Sequence, residues 1–294
     1  MSIGSGPQGP LPGLPARTFD QGRDKFGRGR DVMDDLAARR AAERLLAEHR
    51  AGARFDAFSP QDGPGAITDA YDIQDRFVAL LRPEHGDTIG YKVGLTSQAM
   101  QAFCGIGHPI AGVVLARRLH RSGATVHLAQ FGRLGLEFEI AVRIGSDVGP
   151  SETPQTAATI ARHIEGVCAA VELVDDRGAD YANLDVRALV ADNSWNAGIV
   201  LSDFVTVWPD LEAARGRATR DGAPLGEGFG RDILGHPFNS VAWLAHQLAS
   251  RGEGLKAGQV VMTGSVMKTI FPSEGASFRF DLEGVGAVEV RVDA

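Results

Sequence analysis

Between Asp31 and Arg50 the apolar residues Leu36, Ala37, Ala41, Leu45 and Leu46 recur every three or four positions among charged ones, the period of an amphipathic helix. Tyr71 to Leu81 repeats that spacing through Ile73, Phe77 and Leu80. Past His85 the pattern changes to short segments of period two separated by glycines. A helical N-terminal region over 31–86 is therefore expected to lead into a β-rich body over 87–294, with the boundary near 82–87. The fold class on this pattern is α+β.

In Thr88–Thr96, Ile89, Tyr91, Val93 and Leu95 alternate with Gly90, Lys92, Gly94 and Thr96, so Lys92 shares its strand face with two positions that carry no side chain. Leu136–Ile144 alternates as clearly, with Glu137, Glu139, Ala141 and Arg143 on one face. Ile160, Ile164 and Val167 keep helical spacing and precede the apolar run Val167–Val174, read as a buried strand with Glu172 its one charge. Asn239 is expected to cap a helix carrying Val241, Leu244, Ala245 and Leu248 that stops at Gly252. A strand over Gln259–Thr263 follows. The closing hairpin alternates Phe278, Phe280 and Leu282 with Val288, Val290 and Val292 about a turn at Gly284–Gly286.

Composition narrows the function classes. A chain of 294 residues that is 44 % hydrophobic can bury a sizeable core. Residues 1–30, rich in Gly, Pro and Arg with no apolar period, are expected to be a flexible tail. A net charge of −7 argues against a nucleic-acid partner. The two cysteines, Cys104 and Cys168, sit in apolar settings, so buried thiols in a reducing compartment are expected rather than a disulfide framework. No apolar run approaches 18 residues and no signal-peptide core opens the chain, so a cytoplasmic location without membrane contact is expected.

Two glutamates two apart on a strand hold their carboxylates roughly 6 to 7 Å apart, a gap one cation can bridge. Glu172, alone in an apolar strand, would cost several kcal/mol or take up a proton unless paired or metal-bound. It is the natural third donor, and three oxygen donors favour Mg²⁺ or Mn²⁺. The same E-x-E is also the pattern of a solvated edge strand. Lys92 suits either anchorage of a substrate carboxylate or, desolvated beside a cation, a base with lowered pKa. Neither G-Y-K-V-G nor M-T-G-S has the spacing of a phosphate loop, and the histidines at 108, 120, 127, 163, 236 and 246 show no zinc spacing. Ser265 lies in T-G-S rather than G-x-S-x-G and reads as a hydrogen-bond donor near substrate.

Taken together, Gly90-Tyr-Lys-Val-Gly-Leu-Thr96, Leu136-Glu-Phe-Glu-Ile140, Val171-Glu-Leu-Val-Asp175, Val190-Ala-Asp-Asn193, Gly235-His-Pro-Phe-Asn239 and Thr263-Gly-Ser265 resemble the 2-keto-4-pentenoate hydratase and 4-oxalocrotonate decarboxylase family. The resemblance runs in order from about residue 33 to the C-terminus. It implies a fumarylacetoacetate-hydrolase-like body of mixed β-sheets rolled around the site, a smaller N-terminal region and assembly into homo-oligomers. It places the family's metal ligands on Glu137, Glu139 and Glu172 and its active-site lysine on Lys92, with Ser265 and Trp195 against the substrate. The implied chemistry is chelation of a small 2-oxo acid by Mg²⁺ or Mn²⁺. The implied reaction is hydration of a 2-hydroxy-2,4-dienoate to a 4-hydroxy-2-oxo acid, as in aromatic meta-cleavage catabolism.

Decarboxylation, tautomerisation and acylpyruvate C–C hydrolysis on the same metal are the alternatives, with a silent scaffold whose pocket Trp195 fills as the non-enzymatic one. The chain departs from family hydratases at Ile110, where an acid is frequent, at Trp195, where a small or hydroxylic residue is frequent, and at Lys268, which could reach a distal substrate carboxylate.

Overall fold

The computed structural model describes residues 33–59, 61–151 and 153–294. The tail expected over residues 1–30 lies outside them. Two helices come first, α1 (Asp35–Arg50) and α2 (Ile67–His85), then β1 (Thr88–Gly94), α3 (Gln98–Phe103), β2 (Ile110–Leu115), β3 (Leu119–Arg121), β4 (Ala124–His127) and β5 (Leu134–Ile144). After these come α4 (Ala157–Ile160), β6 (Ile164–Asp175), α5 (Val186–Ala191), β7 (Asn196–Leu201), β8 (Arg215–Arg220) and β9 (Ala223–Phe229). The chain closes with α6 (Pro237–Ala249), β10 (Val260–Ser265), β11 (Ser277–Leu282) and β12 (Gly286–Asp293).

The helix α1 starts where the Asp34 carboxylate accepts the Ala37 N–H and buries Ala38, Ala41, Ala42 and Leu45, packing on α2. The buried stripe is rotated from the expected one, leaving Leu36 exposed, because a partner on one side only covers one face. At α6 the cap is His236, whose Nδ1 accepts the Phe238 N–H, and not Asn239. Pro237 at the first helical position needs no N–H partner and sets the start one turn earlier than expected. Asn239 instead donates to the Leu234 carbonyl.

The helical spacing through Ile164 and Val167 is also corrected. The helix ends at Ile160, and both residues belong to β6, paired with Ile144 and Val142 of β5. An eleven-residue β5 offers a full ladder of backbone partners, and that outweighs a local helical period. Cys168 is buried as expected, whereas Cys104 is only half-buried; both are free thiols.

The strands form two mixed sheets, one of seven in the order β2-β1-β10-β5-β6-β7-β3 and one of five in the order β4-β12-β11-β8-β9. The closing hairpin forms as expected, Phe280 pairing with Val288. Phe138 on β5 meets Phe280 with ring centroids 5.6 Å apart, in an apolar cluster that also takes in Leu45 and Phe77 of the N-terminal helices. Among the described residues no helix is long and apolar enough to cross a membrane.

The seven-stranded sheet is rolled. Strands β1 and β6 are three places apart in its order, roughly 14 Å on a flat sheet, yet Lys92 Nζ lies 3.3 Å from Glu172 Oε1. Asn193, between α5 and β7, reaches edge strand β2: its Oδ1 accepts the Val113 N–H at 2.7 Å and its Nδ2 donates to the Val113 carbonyl at 2.9 Å. One amide side chain thus imitates a strand and stitches the two sides of the roll together.

Candidate metal centre

The strand β5 runs through the middle of the larger sheet, so its E-x-E is no solvated edge: Glu139 is fully buried and Glu137 only half-exposed. Antiparallel register sets Glu172 on β6 directly opposite Glu137, on the same face. One carboxylate oxygen from each of Glu137, Glu139 and Glu172 lies within 4.8 Å of the others.

Each carboxylate has one further partner. The Gly264 N–H donates to Glu139 Oε2 at 2.9 Å, Asn196 Nδ2 to Glu172 Oε1 at 2.9 Å, and Thr269 Oγ1 to Glu137 Oε1 at 2.5 Å. The first depends on a break in register between Met262 and Ser265 of β10. Gly264 there has φ +115°, and a Cβ would stand 2.4 Å from Thr96 Oγ1, so only glycine fits. Thr269 reaches Glu137 by packing over Gly135, where a Cβ would lie 2.8 Å from its methyl group.

Glu139 Oε1 and Glu172 Oε2 are buried with no hydrogen-bond partner among the described residues. Two orphaned carboxylate oxygens inside a protein are costly unless something cationic meets them. Lys92 supplies one positive charge against three carboxylates, and a divalent cation would balance the remainder. The donor set is all oxygen, which fits a hard divalent ion.

Burial and the neighbouring carboxylates of Glu172 and Glu137 hold the Glu139 carboxyl well above its ordinary range. Burial pushes Glu172 up to about 7 even though Lys92 opposes it. A carboxyl raised in the folded state favours folding while protonated, below about 4.5, and that stability is lost as pH rises through about 7. A cation displaces the protons. The stabilisation given by saturating Mg²⁺ is therefore expected to grow between pH 5 and 7.5, read as the difference in Tm between metal-loaded and metal-free protein. A constant difference would count against Glu137, Glu139 and Glu172 as candidate ligands.

Lys92 is buried, with no side chain at Gly94 beside it or at Gly112 across on β2. A Cβ at Gly94 would lie 3.2 Å from its Nζ, and one at Gly112 3.2 Å from its Cγ and 2.6 Å from the Asn193 carbonyl. Its pKa is raised, which favours the anchoring alternative over that of a base with lowered pKa. Burial works downward, but Glu172, Glu137 and Glu139 together overcome it and hold the ammonium form. Ile110 borders the same Gly94 position, its Cγ1 3.4 Å from a Cβ built there, so an apolar side chain stands near the ammonium.

Ser265 is half-buried, its Oγ donating to the Phe138 carbonyl at 3.3 Å. Lys268 is exposed. Trp195 lies in a left-handed turn in which Asn193, Ser194 and Trp195 have φ of 49°, 49° and 59°. Such backbone is strained for non-glycine residues and must be held by its surroundings. Asn193 pins the turn to Val113 and the Ser194 hydroxyl to the Ala111 carbonyl. From behind, Asp192 accepts from Arg177 Nη2 at 2.7 Å and contacts His49 Nε2 at 2.5 Å. The turn leads into Asn196, whose Nδ2 donates to Glu172, and its Asn193 carbonyl lies against Gly112, the position across from Lys92, so the turn borders the centre.

Sequence reasoning missed Thr269, Asn196 and the Gly264 N–H. Gly264 lies inside the Thr263-Gly-Ser265 motif and Asn196 directly follows Trp195, whereas nothing in the local pattern marks Thr269. Replacing Thr269 with valine is expected to weaken Mg²⁺ binding 10- to 100-fold, the range for a residue that orients a metal ligand, as measured by calorimetric titration. An unchanged affinity would remove Thr269 from the site. A separate cavity of about 270 Å³, lined by Tyr71, Asp75, Tyr91 and Arg251 among others, lies on the opposite face of β1 from Lys92.

Comparison with known proteins bears on what such a centre does. The family model for the fumarylacetoacetate hydrolase C-terminal region matches residues 91–293. A 2-keto-4-pentenoate hydratase of Burkholderia vietnamiensis is 30% identical over 261 residues, covering 87% of this chain and 98% of that protein. A 2-oxo-hept-4-ene-1,7-dioate hydratase of Escherichia coli is 31% identical over 237 residues, 76% of this chain and 86% of that one. The 4-oxalocrotonate decarboxylase of Pseudomonas putida G7, solved with magnesium and adipate, superposes with a TM-score of 0.83 at 25% identity, covering 90% of this chain and all of that one.

Proposed function

The chain belongs to the fumarylacetoacetate hydrolase family, and on that premise we propose that it is a divalent-metal-dependent hydratase, adding water to a 2-hydroxy-2,4-dienoate to give a 4-hydroxy-2-oxo acid. The observation that carries the reading is the convergence of Glu137, Glu139 and Glu172 beside Lys92, with two carboxylate oxygens left unpartnered. We assign the metal to those three glutamates and take it to be Mg²⁺, with Mn²⁺ an equal fit to an all-oxygen set.

The cation, when bound, supplies charge stabilisation for the enolate of a 2-oxo acid. The remaining work falls to the chain. Lys92, held as the ammonium by three carboxylates in the metal-free protein, anchors the substrate carboxylate and presents a proton at Nζ. Asn196 and the Gly264 N–H fix Glu172 and Glu139, so the ligands need no reorganisation when substrate arrives. The strained turn Asn193–Trp195 leads directly into Asn196, the donor to Glu172. Proton transfer from the 2-hydroxyl to C5 generates an unsaturated ketone, and water then adds at C4. We expect a homo-oligomer, as the resemblance implies.

A second reading is supported by Ile110. An apolar side chain near Lys92, where hydratases often carry an acid, suits loss of carbon dioxide as well as addition of water, and the superposition on a decarboxylase is extensive. The test is product analysis with 2-hydroxypenta-2,4-dienoate and 4-oxalocrotonate in Mg²⁺. Water addition that stops on chelation supports the hydratase. Carbon dioxide release without hydration replaces it with the decarboxylase.

A further inference from the structure

Arg177 stands just past the end of β6 and is buried, as is the Asp192 it meets. Its Nη2 donates to Asp192 Oδ2 at 2.7 Å and its Nη1 to the Ala53 carbonyl at 2.9 Å, with the Glu48 carboxylate of α1 3.8 Å from Nη1. The backbone is tied as well. The Arg177 N–H donates to Asp175 Oδ1 at 3.1 Å, and its carbonyl accepts the Phe55 N–H at 3.0 Å. The guanidinium lies 5.7 Å from the centre of the Phe55 ring, and that ring meets Trp195 edge-on with centroids 5.1 Å apart. One side chain therefore joins the segment after α1, residues 53–55, to both ends of the strained turn: Asp192 precedes it and Trp195 closes it.

Stability alone does not account for this arrangement. A buried ion pair is commonly no better for folding than apolar side chains of the same volume, because both charges lose their hydration. Arg177 is further disfavoured by an Nε–H buried without an acceptor among the described residues and by its own φ of +46°. What the pair supplies is direction. The Asp192 carboxylate has one oxygen on Arg177 and the other 2.5 Å from His49 Nε2 of α1, while the Asp192 carbonyl accepts the Trp195 N–H at 2.9 Å. Held at these three points, the turn sets the place of Asn196, whose Nδ2 donates to Glu172 Oε1.

We propose that Arg177 is a positioning residue for the metal centre: through Asp192 and the turn it fixes Asn196, and with it the Glu172 carboxylate, against the N-terminal helical region. The proposal rests on the assignment of Glu172 as a metal ligand. It makes α1 and the segment behind it part of what shapes the site, through Ala53, Phe55 and His49, although none of the three candidate ligands comes from that region.

R177M/D192N removes both charges together and leaves neither ion buried without its partner. Calorimetric titration should show Mg²⁺ binding about tenfold weaker than in the parent, the low end of the range for residues that orient a metal ligand. In turnover of 2-hydroxypenta-2,4-dienoate at saturating Mg²⁺, kcat should fall while KM stays within about twofold, because Lys92 still anchors the substrate. The metal-free variant should melt close to the parent, as replaced buried pairs commonly allow. R177K can reach Asp192 or the Ala53 carbonyl but lacks the fork that holds both, so its Mg²⁺ affinity should fall between the two. Parent-like Mg²⁺ affinity in the folded double variant makes Arg177 a prop of the fold alone and overturns the proposal. If the double variant does not fold, R177K decides: affinity lowered by about threefold or more supports the proposal, and unchanged affinity overturns it. A parent that binds no Mg²⁺ overturns the metal assignment and this proposal with it, whereas Mg²⁺ binding without hydration counts only against the hydratase.

Discussion

Glu139→Gln is expected to lower metal-dependent turnover by about three orders of magnitude, the equivalent of several kcal/mol of lost charge stabilisation. The substitution is close to isosteric. Its amide oxygen can still accept the Gly264 N–H that Glu139 Oε2 accepts at 2.9 Å, so the backbone has no reason to move. What disappears is the negative charge behind Oε1, the buried atom left without a partner. Mg²⁺ affinity should fall with turnover. The metal-free variant should melt at or above the parent temperature, because a neutral amide is cheaper to bury than a carboxylate crowded by two others. Turnover above a tenth of the parent value would remove Glu139 from the ligand set.

Lys92→Met should separate catalysis from metal binding. Methionine fills a similar unbranched path beside Gly94 and Gly112 but carries no proton and no charge. A loss of 10²- to 10⁴-fold in kcat is expected for removal of a proton-transferring or anion-anchoring group. Mg²⁺ affinity should hold or rise, since the ammonium 3.3 Å from Glu172 competes with the cation for the same carboxylates. Steady-state kinetics with a metal titration on one preparation read both effects. Wild-type kcat would exclude Lys92 from the chemistry, and loss of metal binding would make it a structural prop.

The two variants separate because the features behind them were legible to different depths. Glu137 and Glu139 could be placed on one face from the two-residue alternation of their own strand. Glu172 could be marked as anomalous because a charge among Val167–Val174 violates the pattern around it. The direction of the Lys92 shift could not be read, because it depends on three carboxylates that come from two other strands. Thr269 was invisible for a similar reason: its value lies in the bare position at Gly135, more than a hundred residues earlier. The misplaced cap at Asn239 and the misread period at Ile164 share another cause, a local signal overruled by Pro237 in one case and by the β5 ladder in the other.

By itself the sequence determined the helices at the N-terminal end, the alternating strands, the closing hairpin and which side chains share a face, because these follow from periodicities that each segment carries alone. Only the tertiary structure decided that the larger sheet rolls until β1 meets β6 and that a left-handed turn closes the gap. Curl and strand order arise from pairing between distant segments and from packing on both faces, and no window of local sequence contains them.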